Sequence, residues 1–390
     1  MSKGTTMQRR TVLASVAGLA LAASAWGGSA SAETVLNVVT AGSENMVDYV
    51  TDYLAPKFKE KHPDVEIRVT GTGPGDAGSQ KIYEKLAAQK AAGTATADVD
   101  VAVVHQKMAG QMVEEGLLAQ YRDEIETGKL VTRDTAKLAL GTNVDGYVMP
   151  MFHSQTAIAY NTALIDAPPQ SYAELVDWTK EHPGQFGYNG IKNGMSGVAF
   201  VVGWIYNNTD NPDQLINGPY DPAVEQGWDD ALAKLKDFNQ SITFTPSNAG
   251  TLDALNRGEI AMGPVWVDMF YTWQADGRLS PDIRLELIGS GMPGQPMYYV
   301  TPDNAAQPEL AREFIALATS PEVQAEGIVE KFNWYPGIDA EHVKASLDEA
   351  AWDKLFTDVT PEEISAKGKP FPIAPYFDDI LEAYEKKVEN

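Results

Sequence analysis

The chain has 390 residues, with 30 Lys and Arg against 54 Asp and Glu, a formal net charge of −24, five histidines and no cysteine. Such acidity argues against nucleic acid and anionic membrane surfaces as partners. Without cysteine no disulfide staples the fold, so stability rests on an apolar core, and the length suits two or three lobes.

Residues 1–32 read as a secretory signal. Lys3, Arg9 and Arg10 form a basic start, Val12 to Trp26 an apolar stretch, and Ala30-Ser31-Ala32 a small-residue cleavage site. The stretch is short for a membrane span of roughly 20 residues, and no later run is longer, so the mature chain is expected outside the cytoplasm and not embedded in a membrane. Sec is the expected route, with Tat the alternative raised by Arg9-Arg10. The signal holds three of the basic residues and none of the acidic ones, so the remaining 358 residues carry −27.

Val35 to Val39 reads as a first buried strand, and Met46, Val50, Tyr53, Leu54 and Phe58 recur at helical spacing behind it. Val65, Ile67 and Val69 alternate with Glu66 and Arg68 as a second strand. A glycine-rich turn, Gly71 to Gly78, then opens a helix from Ser79 to Ala92, and Asp98 to Val104 is a third strand. This alternation predicts a parallel sheet with right-handed crossovers.

Gly146 to Asn161 is apolar, β-branched and aromatic, but Pro150 and the polar run His153-Ser154-Gln155 interrupt it. Proline lacks the N–H that a central strand needs, so the stretch is expected as two short strands joined in the middle, crossing between lobes. Ser171 and Glu174 predict a capped helix start, Val198 to Tyr206 a buried helix, and Ala223 to Phe238 and Thr251 to Arg257 amphipathic helices. Glu259 to Gly263 reads as a strand, with a helix from Pro264 through Trp273. Leu285 to Ile288 and Met297 to Val300 read as a second pair of crossing strands, and helices complete the chain. The expected fold is therefore α/β with two lobes, each a mainly parallel sheet flanked by helices. The boundaries are 33–150 for the first lobe, 151–294 for the second, and 295–390 for the return, joined by two crossing strands.

Three stretches resemble the bacterial extracellular solute-binding proteins of ABC importers, in particular the type II, family 1-like group with maltose-, polyamine-, thiamine- and iron-binding members. They are Leu255-Asn-Arg-Gly-Glu-Ile-Ala-Met-Gly263, Glu313-Phe-Ile-Ala-Leu-Ala-Thr-Ser-Pro-Glu-Val-Gln324, and Ala157-Ile-Ala-Tyr-Asn161. The resemblance implies a periplasmic binding protein, a small-molecule ligand held between the lobes by hinge closure, and a membrane permease as partner. A monomer is expected, with no cofactor and no resident metal.

The candidate contacts follow from where loops meet the cleft, since ligands in open α/β sheets bind beyond the carboxyl ends of strands. Ser43, Glu44 and Asn45 follow the first strand, where solute-binding proteins often touch ligand, although Ser43 or Asn45 would equally serve as helix caps. Ser79 opens a helix whose N-terminus favours anions. Gly73-Pro-Gly-Asp-Ala-Gly78 fits GxGxxG, but it follows the second strand, holds Pro74 and belongs to an exported chain, so a plain turn is the reading. His105 follows the third strand, and His153, Ser154 and Gln155 sit in the crossing. Lys192, Asn193 and Ser196 precede an apolar helix and would hold a carboxylate or phosphate. Trp266 offers an aromatic face and Asp268 a partner for a cationic nitrogen. Trp334 and Tyr335 lie in a turn that could roof the cleft.

These residues divide between amine and anion recognition, so a zwitterion would satisfy all of them, with phosphorylated compounds, sugars and polyols left open. The rival class is an exported hydrolase or oxidoreductase using the same cleft. The chain has no Gly-x-Ser-x-Gly elbow, HExxH or cysteine nucleophile, and a binding protein rather than an enzyme is the expectation.

Overall fold

The computed structural model describes residues 34–42, 44–73, 75–133, 136–289, 291–355, 357–360, 363–364 and 367–389. The signal sequence and Ser43 lie outside the described residues. Thr34–Asn390 forms one compact unit.

Strand β1 (Thr34–Ala41) lies between β2 (Val65–Gly73) and β3 (Val101–His105), parallel to both. Strands covered on both faces read as near-continuous apolar runs, and all five residues of β3 are buried. β2 pairs with β1 alone, so its alternation of Val65, Ile67 and Val69 with Glu66 and Arg68 is that of a sheet edge. A small hairpin, β4 (Leu138–Ala139) with β5 (Thr142–Asn143), follows.

β6 (Met149–Asn161) is one strand of 13 residues, not the two short ones its sequence predicts. Pro150 is accommodated by a bulge. Opposite it, β11 (Gly294–Val300) pairs Met297 with Phe152 and then Tyr298 with Pro150, so Met151 is the extra residue. The Met151 carbonyl, which the bulge frees, accepts from Gln324 Nε2 at 3.1 Å. The polar run marks a change of partners rather than a break. Up to Gln155, β6 pairs with β11 and with β12 (Tyr335–Pro336). From Thr156 onward it pairs with β9 (Met262–Trp266) and β10 (Ile283–Glu286). At roughly 3.3 Å per residue, one strand thus carries the sheet on the order of 43 Å.

The remaining short strands, β7 (Gly187–Tyr188) and β8 (Thr243–Phe244), pair parallel and meet β9 through a Phe186–Met262 bridge. The main path runs β10-β6-β11-β3-β1-β2. Its outer strands β2-β1-β3 are parallel, whereas β11, β6, β9 and β10 pair antiparallel, so the sheet is mixed.

β9 starts three residues later than Glu259, and Pro264 sits inside it rather than opening a helix. The ladder at Pro264 is with Ile158 of β6, and the helix begins at Val267. The helix Met195–Asn207 is buried from Ser196 to Tyr206, as an apolar run without a polar face requires. Two aromatic clusters anchor the packing. In one, Trp334 lies 4.6 Å from Phe152 and 5.1 Å from Phe332 between ring centroids; in the other, Trp204 lies 5.2 Å from Phe238 and Tyr188 5.0 Å from Phe200. Full burial of each such side chain stabilises by roughly 1.5–3 kcal/mol.

Candidate functional site

Where β6 changes partners, four segments converge on a cavity of about 10 Å³, lined by His153, Gln155, Val267, Asp268, Asn333, Tyr335 and Ile364. That is room for about one water-sized group. β6 supplies His153 and Gln155, the start of the helix Val267–Ala275 supplies Asp268, and the turn entering β12 supplies Asn333 and Tyr335.

Asp268 sits in the first turn of its helix, where backbone N–H groups favour negative charge. The Ser154 hydroxyl donates to its carboxylate. Burial pushes its pKa up to about 6, against the pull of Ser154 and of the Asp268 and Met269 backbone amides. No cation among the described residues balances it. A carboxylate held inside a protein without a counter-ion is costly, and Asp268 is one of the residues that line the cavity.

His153 is pushed the other way. Burial, and then the charge of Arg133, lower its pKa to about 3, so the imidazole is neutral. Its Nδ1 has no hydrogen-bond partner. The ring lies 6.1 Å from that of Tyr335, its cross-strand neighbour on β12.

Two residues outside the cavity hold the β12 turn against β6. Arg133 donates to the carbonyls of Pro336, Gly337 and Ile338, and its Nε lies 3.3 Å from Asp339. Gln324, fully buried, donates to Met151 O and Ala318 O at 3.1 and 2.8 Å and accepts from Gly337 N at 2.7 Å. A side chain at Gly337 would place Cβ 2.1 Å from Pro150 O, so the turn docks only with glycine there. Asn333 adopts φ 56°, a left-handed conformation that asparagine tolerates better than most residues.

Gln155 is buried and donates to Met292 O at 2.6 Å and Thr156 O at 3.1 Å. A Cβ at Gly294, the first residue of β11, would come 2.6 Å from its Oε1. The side chain thus fixes the spacing between β6 and β11. Trp266 ends β9 opposite Thr156 and is buried in the core, and Trp334 packs on Phe152. Both tryptophans stand behind the lining rather than in it.

The structure sets the other candidates apart. Ser79 and His105 form their own pair, with Ser79 Oγ 3.0 Å from His105 Nδ1 and also accepting from His105 N at 3.0 Å. Asp76 approaches the same Nδ1 at 4.0 Å. Burial lowers the His105 pKa, and Asp76 partly offsets it. A nucleophilic triad places its hydroxyl and carboxylate on opposite ring nitrogens, which this group does not. β11 stands between the two histidines, pairing Met297 with His105 and Pro296 with His153. Ser79 also lies inside its helix, which begins at Gly75.

Glu44 is exposed at the start of the helix Glu44–Asp48, and the partly buried Asn45 has an Oδ1 without a partner. Lys192 is 60% exposed and pairs with Glu389 at 2.5 Å and Glu385 at 3.5 Å. Asn193 O accepts from Asn189 Nδ2, and Ser196 Oγ donates to Asn248 Oδ1 at 2.8 Å. Gly194 occupies the cap of that helix, and Asn248 accepts from Ser196 N at 3.2 Å. These three tie a helix start together away from the cavity lining. The Gly73 and Gly78 carbonyls are likewise used inside the protein, accepting from Gly42 N at 2.9 Å and from Thr72 Oγ1 at 2.8 Å respectively. Among the described residues no three His, Asp or Glu are grouped to hold a metal, and no helix is long and apolar enough to cross a membrane.

The whole arrangement superposes on the spermidine/putrescine ABC transporter substrate-binding protein PotD from Streptococcus pneumoniae. The TM-score is 0.67 at 16% identity, over 91% of this chain and 99% of that one. It is similar to a GABA receptor, Atu4243, with TM-score 0.62 at 21% identity over 91% and 95% of the two chains. Iron-bound HitA from Pseudomonas aeruginosa gives TM-score 0.61 at 17% identity over 90% and 99%. At these identities the likeness is one of fold. No curated protein sequence matches the chain. Residues 54–341, which hold β6, β11 and every cavity-lining residue except Ile364, match the bacterial extracellular solute-binding proteins, and the chain belongs to that family.

Proposed function

We propose that the protein captures a small solute bearing a cationic nitrogen and delivers it to the membrane permease of an ABC importer. One observation carries the reading: Asp268 lines the cavity, and no cation among the described residues balances its carboxylate. A bound ammonium would supply the missing charge. Spermidine, putrescine and GABA, named for two proteins of the same fold, all carry one. The anion half of a zwitterion has less support, because Lys192 is engaged by Glu389 and Glu385.

In this reading residues 33–150 and 295–390 form one lobe and 151–294 the other, and β6 and β11 are the hinge. Closure is then driven by whatever binds the closed form better than the open one. Family membership favours a location outside the cytoplasm, with the N-terminal signal as the export address.

Thermal unfolding of the mature protein with 1,4-diaminobutane, spermidine and 4-aminobutanoate, against polyols and organophosphates, tests the reading. A ligand at 100 times its Kd stabilises by about 2.7 kcal/mol, so an amine should raise Tm where the others do not. Recovery of the ligand unchanged at one equivalent would separate binding from turnover. Stabilisation by polyols or phosphates but by no amine would overturn the reading.

A further inference from the structure

Two apolar cores fill the molecule, one around Leu36, Val101 and Phe314 and the other around Tyr188, Trp204 and Trp228. The β4–β5 hairpin reaches from the first into the second. Ala139 of β4 and Val144, just beyond β5, are buried in the first core, whereas Leu140 between them is buried in the second. The hairpin rests on the helix Gln106–Glu114, where Thr142 Oγ1 donates to Glu114 Oε1 at 2.8 Å.

Leu140 sits where leucine is disfavoured. With Gly141 it forms the two-residue turn, at φ 48° and 87°. Turns with positive φ at both positions are dominated by Asn-Gly, Asp-Gly and Gly-Gly, and a bulky side chain is strained there. Such strain persists only where the surroundings hold it. Here they lie across the molecule. Leu140 O accepts from Ala374 N at 2.8 Å, and a Cβ at Gly141 would come 2.5 Å from Ile373 Cγ2. Ile373 and Ala374 open the helix Ala374–Tyr384, which the second core carries. Tyr384 Oη lies 2.7 Å from Tyr188 Oη, Tyr376 Oη accepts from Asp221 N at 2.8 Å, and Ile373 N donates to Leu215 O at 2.9 Å.

We propose that the Leu140-Gly141 turn is a catch that holds the two lobes shut by gripping the start of the C-terminal helix. This rests on the two-lobe reading, with that helix moving with the second lobe. The cavity on β6 admits one water-sized group, so a solute the size of 1,4-diaminobutane enters only once the lobes part. The strength of the catch then tunes affinity without touching the solute, because apparent affinity scales with the population of the binding-competent form. Lys107, on the helix beneath the hairpin, pairs with Asp378 at 2.6 Å, but both side chains are partly exposed and the pair adds little.

The chain has no cysteine, so nitroxide labels on Lys59→Cys and Lys234→Cys, both exposed on helices of opposite lobes, report the distance between lobes by electron–electron double resonance. In the free mature protein Leu140→Gly should raise the longer-distance population at least about threefold over wild type. Glycine suits this turn better than leucine, so the hairpin is kept and the loss is confined to the contact across the lobes. Ile373→Ala, from the other side of the contact, should shift the population in the same direction, and it decides should Leu140→Gly fail to fold. A distance distribution unchanged in Leu140→Gly would overturn the proposal. That result would leave the amine reading standing, since thermal unfolding with ligand tests it separately.

Discussion

Gln324 Oε1 accepts a hydrogen bond from the backbone of Gly337 at 2.7 Å, while its Nε2 reaches the bulged Met151 at 3.1 Å. One buried amide thus fixes β12 to β6 and sets the height of Tyr335 beside His153. Replacing it with leucine leaves Gly337 N, Met151 O and Ala318 O without this partner. Each buried polar group so orphaned costs about 1–3 kcal/mol, so Gln324→Leu should lower stability by roughly 3 kcal/mol or more. Urea unfolding measures it, and a loss below about 0.5 kcal/mol would contradict the role.

Gly337→Ala should be destabilising for a different reason, because its Cβ would lie 2.1 Å from Pro150 O and backbone must shift. A loss of about 1–3 kcal/mol is expected, with weaker amine binding as the turn carrying Asn333 and Tyr335 moves. Gly227→Ala, where nothing lies within 4 Å of the new Cβ, is the control and should stay within about 0.5 kcal/mol of wild type. Equal behaviour of the two variants would count against tight docking of the turn.

Asp268 and His153 should give opposite pH dependences. Asp268 has a folded pKa raised to about 6 from 3.8, so the native state takes its proton first and gains stability as pH falls from about 6 towards 4. His153 has a folded pKa lowered to about 3 from 6.5. Its contribution is fully present above about 6.5 and is lost as pH falls below that. Asp268→Asn should therefore be more stable than wild type near about pH 7.5, with the gap closing by about pH 4.5. His153→Phe should gain on wild type over the same descent. Thermal unfolding across that range checks both, and gaps that stay constant with pH would contradict the assignments. Amine affinity should fall as pH drops through about 6, when Asp268 takes up its proton.

The parts of this molecule legible in its sequence are those whose cause is local. Val35 to Val39 and the alternation of Val65, Ile67 and Val69 predict their strands because burial on two faces or one leaves its own period. Of the residues at the cavity, His153 and Gln155 belong to the polar run that interrupts an apolar stretch, and Asp268 follows a strand read from sequence. What could not be read depends on distant partners. β6 survives Pro150 through a bulge completed by Gln324, 173 residues on in the chain, and Arg133 reaches Gly337, 204 residues on. The end of β9 was misplaced because Pro264 reads locally as a first helical residue, while its place in the strand is set by Ile158. Lys192 looks like an anion ligand until the C-terminal residues Glu385 and Glu389 claim it.

The most direct test of the whole account is titration calorimetry of wild type and Asp268→Asn with 1,4-diaminobutane and 4-aminobutanoate near about pH 7.5. Removing one partner of a buried ion pair costs about 3–5 kcal/mol, so the substitution should weaken whichever amine binds by on the order of a hundredfold or more, with no loss of thermal stability in the free protein. Unchanged affinity in Asp268→Asn would contradict the claim that this carboxylate holds the solute.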